Sequence, residues 1–301
     1  MDAPVVIEAA QTLAARIARL TDRLARAARR TRRRADAEAI HDTRVTLRRL
    51  EAALDVWRDA LRPRRWRRAR RALRRLRRSL GPARAAEVSA ALLRERLSAD
   101  TSGSPADIQP VLARLERSEE RARRKAARAC RRGTMDRLLG RLRRPLLAGP
   151  SSSDDLVAAA RGRVGRRSAA ARATLAEAAR SFDERALHRA RITLKRWRYG
   201  LEALAGVDAG LAAASPELLE GAQRSLGSLH DLSVLRATLQ ECSRDLESEG
   251  SRVEAPLGRL IAALESEFRQ ELEALPGRAA PLARPAVVLP VARPSASSAR
   301  R

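Results

Sequence analysis

His41-Asp42-Thr43-Arg44-Val45-Thr46-Leu47-Arg48-Arg49 returns 147 residues later as His188-Arg189-Ala190-Arg191-Ile192-Thr193-Leu194-Lys195-Arg196. In each copy a His, an Arg three residues on and a cation seven residues on share one helical face, at about 100° of rotation per residue. The other face is apolar: Ile40, Leu47, Leu50, Leu54, Trp57 and Leu61 in the first copy, Leu187, Leu194, Trp197, Leu201 and Leu204 in the second. A helix with so wide an apolar stripe packs on a core and turns its polar face outward. The outward face of the first copy carries His41, Arg44 and Arg48, with Arg49 on its flank. That of the second carries His188, Arg191, Lys195 and Arg198, with Tyr199 beside His188 and Arg196 closing the repeat. Two matched lines of positive charge suit a long or multivalent anion better than a catalytic centre.

The rest of the chain reads the same way. Aromatic residues make up 2% of it, β-branched residues are sparse, and Ala, Leu, Arg and Glu dominate. These are helix formers, so the fold is expected to be all-α. Apolar periodicity and Pro/Gly punctuation place helices at about 4–34, 37–61, 64–79, 83–97 and 108–132, the last broken by Gly133 and followed by a short basic piece. Further helices are expected at about 155–179, 183–204, 216–226, 229–246 and 256–275. Ser- and Gly-rich linkers are expected at 98–107 and 149–153. From Pro276 onward five prolines fall in 26 residues without an apolar period, so 276–301 is expected to be a disordered tail.

A second echo strengthens the duplication. Leu80-Gly81-Pro82-Ala83-Arg84-Ala85-Ala86-Glu87-Val88 aligns with Leu226-Gly227-Ser228-Leu229-His230-Asp231-Leu232-Ser233-Val234, at an offset of 146. Two motifs at nearly one spacing imply two pseudo-symmetric helical bundles, residues 1–148 and 149–275; spacing alone does not say whether they pack face to face. Arg84 and His230 occupy equivalent positions at expected helix starts, where backbone N–H groups favour anions. Each could equally serve as a capping or loop residue. The His residues of the two repeats likewise have a second reading, packing between helices and bonding a backbone carbonyl.

Charge narrows the partners. The chain has 301 residues and a net charge of +27, from 63 Lys plus Arg against 36 Asp plus Glu. Only Lys125 and Lys195 are Lys, so guanidinium forks, which grip phosphate oxygens in pairs, dominate. Self-repulsion on this scale is relieved by a polyanion: nucleic acid, inorganic polyphosphate, an anionic membrane surface or an acidic protein. The segment 62–78 holds eleven Arg in 17 residues, either a solvated charge run or one wall of the anion site.

Other chemistry lacks a motif. There is no GxxxxGK[ST], HExxH, C-x-x-C, GxSxG or EF-hand pattern. Cys130 and Cys242 are too few for a disulfide framework or a zinc site. No catalytic residue, metal or cofactor is therefore expected. Asp42, Glu51, Asp55, Asp59 and Glu202 are read as local charge balance. The Met1-Asp2-Ala3-Pro4 start has no basic segment leading into an apolar one, and no apolar run reaches about 18 residues, so a cytoplasmic location is expected.

The patterns HxxRVxxRRL and HxxRIxxKRxRY, with LGxxHDLxVL at 226–235, resemble the CHAD domain, the conserved histidine α-helical domain. The resemblance spans about residues 5 to 275. It implies two pseudo-symmetric helical bundles around a basic central surface, non-catalytic binding of inorganic polyphosphate, and association with polyphosphate granules. Weaker nucleic-acid binding is the alternative that charge alone leaves open. Carried over by position, the binding residues are His41, Arg44, Arg48, Arg49, His188, Arg191, Lys195, Arg196, Arg198 and Tyr199, to which the second element adds Arg84 and His230. The chain departs from the family pattern at Glu51, where another Arg is usual, and at Ala85 and Glu87, where Asp is usual. The first half is accordingly expected to grip less strongly than the second. No ExExK strand, the mark of the triphosphatase domain fused to some relatives, is present.

Overall fold

A computed structural model describes residues 3–99, 105–144, 146–148, 153–205, 216–248 and 254–283. These residues form ten α-helices: α1 Ala3–Arg34, α2 Ala37–Val56, α3 Pro63–Ser79, α4 Gly81–Ala99, α5 Pro105–Ala129, α6 Arg132–Arg143, α7 Ser153–Ser181, α8 Glu184–Leu204, α9 Pro216–Ser248 and α10 Glu254–Ala283. A 3-10 turn, Arg58–Ala60, follows α2. The all-α expectation holds. Among the described residues the sole β-type contact is a bridge between Leu61 and Leu147, with Arg62 N donating to Leu146 O at 2.8 Å.

The two repeated helices enter the fold through matching turns. Asp36 caps α2, its carboxylate accepting from Ala39 N at 2.7 Å, and Asp183 caps α8, accepting from Ala186 N at 3.0 Å. Such caps satisfy orphan N–H groups and fix where each helix starts. The residues just before them, Ala35 and Phe182, are left-handed, at φ 51° and 52°. All four positions obey the 147-residue offset. The hairpins α1–α2 and α7–α8 thus close with the same backbone geometry.

The apolar stripes read from the sequence are buried. Ile40, Leu47, Leu50, Leu54, Trp57 and Leu61 lie in the core with Leu187, Leu194, Trp197 and Leu204, while Leu201 packs at its edge. This main core takes side chains from both halves of the chain. A second cluster joins Leu93 of α4 and Val111 and Leu115 of α5 to Leu232, Leu235 and Leu239 of α9 and Leu257 and Leu264 of α10.

Several boundaries differ from the sequence expectation. The segments expected at 216–226 and 229–246 form one helix, α9, running straight through Gly227. One glycine costs a helix only about 1 kcal/mol, and buried Leu226 and Leu229 on either side hold it in place. The tail was expected from Pro276, but α10 continues through Pro276 and Pro281 to Ala283. Leu275, Ala279 and Leu282 are buried there, and that packing offsets the hydrogen bonds the prolines remove. Residues 284–301, and the linker positions 100–104 and 149–152, lie outside the described residues. The break expected at Gly133 falls at Cys130 and Arg131, leaving Gly133 inside α6. Gly81-Pro82 opens α4 instead of ending α3, since proline fits the first turn of a helix. The helix expected to reach 61 gives way to the 3-10 turn after Val56.

A left-handed non-glycine residue costs roughly 1–2 kcal/mol. Ala35→Gly and Phe182→Gly should each therefore stabilise the fold by roughly 0.5–1 kcal/mol, net of glycine's larger unfolded entropy. Urea denaturation with unchanged m-value checks this.

Candidate anion-binding site

α2 and α8 pack against one another, tied at their ends by the Trp57 indole, which donates to the Ala203 carbonyl at 3.0 Å. With both apolar stripes turned into the core, the cationic stripes converge on one side. They enclose a cleft of about 440 Å³. Its lining is Arg48, Glu51 and Asp55 of α2, Arg70, Arg74 and Arg77 of α3, Arg167 of α7, and Arg191, Lys195, Arg196 and Tyr199 of α8. A second group surrounds the first turns of the two helices: His41, Arg44 and Arg84 from the first half, His188, His230 and Asp231 from the second. The rings of His188 and His230 stand 5.5 Å apart. Arg44 Nη1 donates to the Arg77 carbonyl at 3.3 Å.

Crowding of like charges is visible in the ionisation of these groups. Burial, then Arg48, Arg77, Arg84 and Arg191, push the Arg44 guanidinium down to about 10. Burial, then Arg191 and Arg48, push the Lys195 ammonium down to about 7, with Asp231 opposing. His230 falls to about 4, through burial and then Arg191, His188 and Lys195. His41 is also lowered, by desolvation and then Arg84, with Asp42 opposing. An anion would raise the pKa of such a histidine; the surrounding cations do the opposite until one binds. Asp231 is raised by burial against the pull of Arg191, Lys195 and Arg84. Arg191 Nε is buried without a hydrogen-bond partner.

The carboxylates of the repeated helices neutralise the edges of this field. Glu51 accepts from Arg77 at 2.9 Å, Asp55 pairs with Arg167 at 2.5 Å and Arg70 at 3.4 Å, and Asp42 pairs with Arg30 at 3.3 Å. Asp59 pairs with Arg163. Arg48, Arg74, Arg196 and Lys195 have no hydrogen-bond or ion-pair partner among the described residues.

Arg44, Arg48, Arg191 and Lys195 are brought together, and His41, Arg84, His188 and His230 stand beside them. Arg196 lines the cleft at its α7 end. Tyr199 is buried and contributes a wall, with the Arg198 guanidinium 4.8 Å from its ring centroid. Arg198 does not line the cleft and lies 3.7 Å from Glu202. Arg49 belongs to a different groove, held by Glu202 at 2.8 Å, because one residue of helix turns it about 100° from Arg48. Arg84 is engaged by Glu87 at 2.5 Å, one of the departures from the family pattern. The α3 wall resolves the two readings of the arginine run. Arg70, Arg74 and Arg77 sit at i, i+4 and i+7 beside the buried Ala69, Leu73 and Leu76, while Arg64, Arg67, Arg68, Arg71, Arg75 and Arg78 are exposed. That spacing was legible, as was the motif that holds Asp231; Arg167, distant in sequence, carried no comparable signal. Among the described residues no three His, Cys, Asp or Glu converge as metal ligands, and no helix is long and apolar enough to cross a membrane.

Comparison with known proteins agrees with this architecture. The sequence model of one family, the CHAD domain, matches residues 15–240. The chain belongs to the CHAD domain family. Among solved structures it is similar to the CHAD domain from the plant Ricinus communis, at 22% identity and a TM-score of 0.68, with 91% of each chain covered. It is also similar to PptA from Streptomyces chartreusis, at 20% identity and a TM-score of 0.66, covering 91% of this chain and 98% of that one. At these identities the likeness is one of fold: both are structures on which this CHAD chain superimposes along nearly its whole length. No match is found among curated proteins.

The lowered Lys195 sets a pH dependence for anion binding. A bound anion favours the ammonium and raises its pKa from about 7 toward 10.5. Proton uptake then accompanies binding between those values, so affinity should rise as pH falls through that window and level off on its Lys195 component below it. Calorimetric titration with tripolyphosphate from pH 7 to 10 should show this slope, and Lys195→Arg should flatten it.

Proposed function

We propose that the chain binds inorganic polyphosphate along the cleft between α2 and α8, as a holder of the polymer and not as a catalyst. The observation that carries this reading is the convergence of the two repeated cationic faces, with Arg48, Arg74, Arg196 and Lys195 unpaired among the described residues. A row of fixed cations in a partly desolvated cleft matches a chain of closely spaced phosphates, and guanidinium groups can each hold two oxygens. Family membership supports the same ligand class. The HxxR helices match the family pattern at the positions that converge, and His41 and His230 stand where a bound anion would favour their charged, donating forms. Association with polyphosphate granules follows as part of this proposal.

Nucleic acid is the competing polyanion. Base stacking favours it only where aromatic rings are presented, and the aromatic side chain lining the cleft is Tyr199, which is buried. Duplex and single-stranded DNA should therefore compete poorly, per phosphate, against long-chain polyphosphate. Equal competition would replace the polyphosphate reading with a nucleic-acid one.

Replacing Arg44, Arg48, Arg191 and Lys195 together with Ala, with helicity checked by circular dichroism, should lower polyphosphate affinity at least tenfold. It should also flatten the dependence of log K on log salt by about 1 for each phosphate that is no longer neutralised. Unchanged affinity in a folded variant sinks the site. Glu51→Gln should act the other way. It removes a negative charge that occupies Arg77 in the cleft, and affinity should rise a few-fold at low salt and less at high salt.

A further inference from the structure

Two arginine grooves flank the α2–α8 pair outside the central cleft. One, of about 650 Å³, lies along α1 and is lined by Arg16, Arg19, Arg23 and Arg49, with Glu202. The other, of about 260 Å³, lies along α7 and is lined by Arg163, Arg166 and Arg196, with Asp55. They are one groove built twice. Adding 147 turns Arg16, Arg19 and Arg49 into Arg163, Arg166 and Arg196, and turns Asp55 into Glu202. In each groove these cations come from one half of the chain and the matching carboxylate, Glu202 or Asp55, from the other; the α1 groove is also lined by Asp22 of its own half, which pairs with Arg143.

The correspondence reaches individual atoms. Arg16 Nη1 donates to the Ala205 carbonyl at 2.8 Å, and Arg163 Nη1 to the Val56 carbonyl at 2.6 Å. Each arginine thus satisfies an orphan carbonyl at the C-terminal end of the opposite half's repeated helix. The Nε atoms of both are buried without a partner. Burial lowers the pKa of both, Arg163 to about 10. Helix capping accounts for Arg16 and Arg163. It does not account for Arg19, Arg23 and Arg166, which line the grooves with no ion pair or hydrogen bond among the described residues.

The copies differ at one position that separates their use. Arg167, with Asp55 and Arg196, lines both the α7 groove and the central cleft, so those two adjoin across shared side chains. The residue equivalent to Arg167 is Leu20, and the α1 groove shares no lining residue with the cleft. The geometry points to the α1 groove as a second, independent phosphate-binding site, so that one molecule holds two separate stretches of polyanion and bridges them. Arg19 and Arg23 supply the open cations. Glu202 tempers the site by holding Arg49 at 2.8 Å, and an incoming phosphate displaces it. Two sites on one rigid body convert binding into cross-linking, because a second chain, or a distant stretch of the same chain, is captured at high effective concentration.

The second site rests on the polyphosphate reading only for its probe. Calorimetry with tripolyphosphate should give two binding events per wild-type chain. Arg19→Glu with Arg23→Glu, which leaves the capping Arg16 in place, should retain one event with the cleft's affinity. The four-alanine cleft variant should retain the other. Glu202→Gln should tighten the groove event alone. With long-chain polyphosphate, light scattering should show large particles for wild type near charge equivalence and their loss in the double glutamate variant. A single wild-type event that survives the double variant unchanged overturns the second site while leaving the cleft intact. Two events that both persist in the cleft variant overturn the cleft assignment, and two events that both persist in the double glutamate variant overturn the groove.

Discussion

Apolar burial holds like charges together in this molecule, and most of its other features follow from that constraint. α2 and α8 each have one wide apolar stripe, and both stripes enter the same core with Leu47, Leu50, Leu54, Leu194 and Trp197 almost wholly buried. Each such side chain contributes about 1.5–3 kcal/mol. Their sum outweighs the repulsion among Arg44, Arg48, Arg191 and Lys195, which the packing leaves no way to avoid. Burial, and after it that repulsion, shows in the ionisation of the cleft, with Lys195 lowered to about 7 and Arg44 to about 10. A bound polyanion relieves the repulsion, so the folding energy of the core preorganises the site.

Carboxylates decide how far that field extends. Glu51, Asp55, Asp59 and Glu202 sit on or beside the repeated helices, and each is held by arginine. They mark the edges of the basic surface and leave its middle open. The two halves are not equal in this. Position for position, Glu51 corresponds to Arg198, Ala52 to Tyr199 and Leu20 to Arg167. The first half contributes a neutralising charge where the second contributes a cation. Arg198 nevertheless turns toward Tyr199 and Glu202, so the cations that the second half brings to the cleft are Arg167, Arg191, Lys195 and Arg196.

Local signals in the sequence succeeded where they reported a period and failed where they reported a single residue. The 3.6-residue stripes of α2 and α8 were readable, whereas the caps Asp36 and Asp183 came only with the structure. Gly227, Gly133 and Pro276 were read as breaks, and none of them ends a helix. A glycine or proline costs a helix a few kcal/mol at most. Buried leucines on both sides exceed that, and their partners lie on helices far away in the sequence. The candidate site divides along the same line: its histidines and cassette cations announced themselves by phase, while Arg167 joined only because α7 packs where it does.

Periodicity along the chain is enough to settle that this protein is helical, which faces are buried and that two cationic stripes exist, because each of those depends on neighbours within a few turns. It cannot say on which side of the helix pair a given cation emerges. Arg48 and Arg49 are adjacent in sequence and line separate cavities, one open to Lys195 and the other closed by Glu202. That division is made by the docking of α8 on α2, where a rotation of about 100° at one residue carries a side chain across the contact.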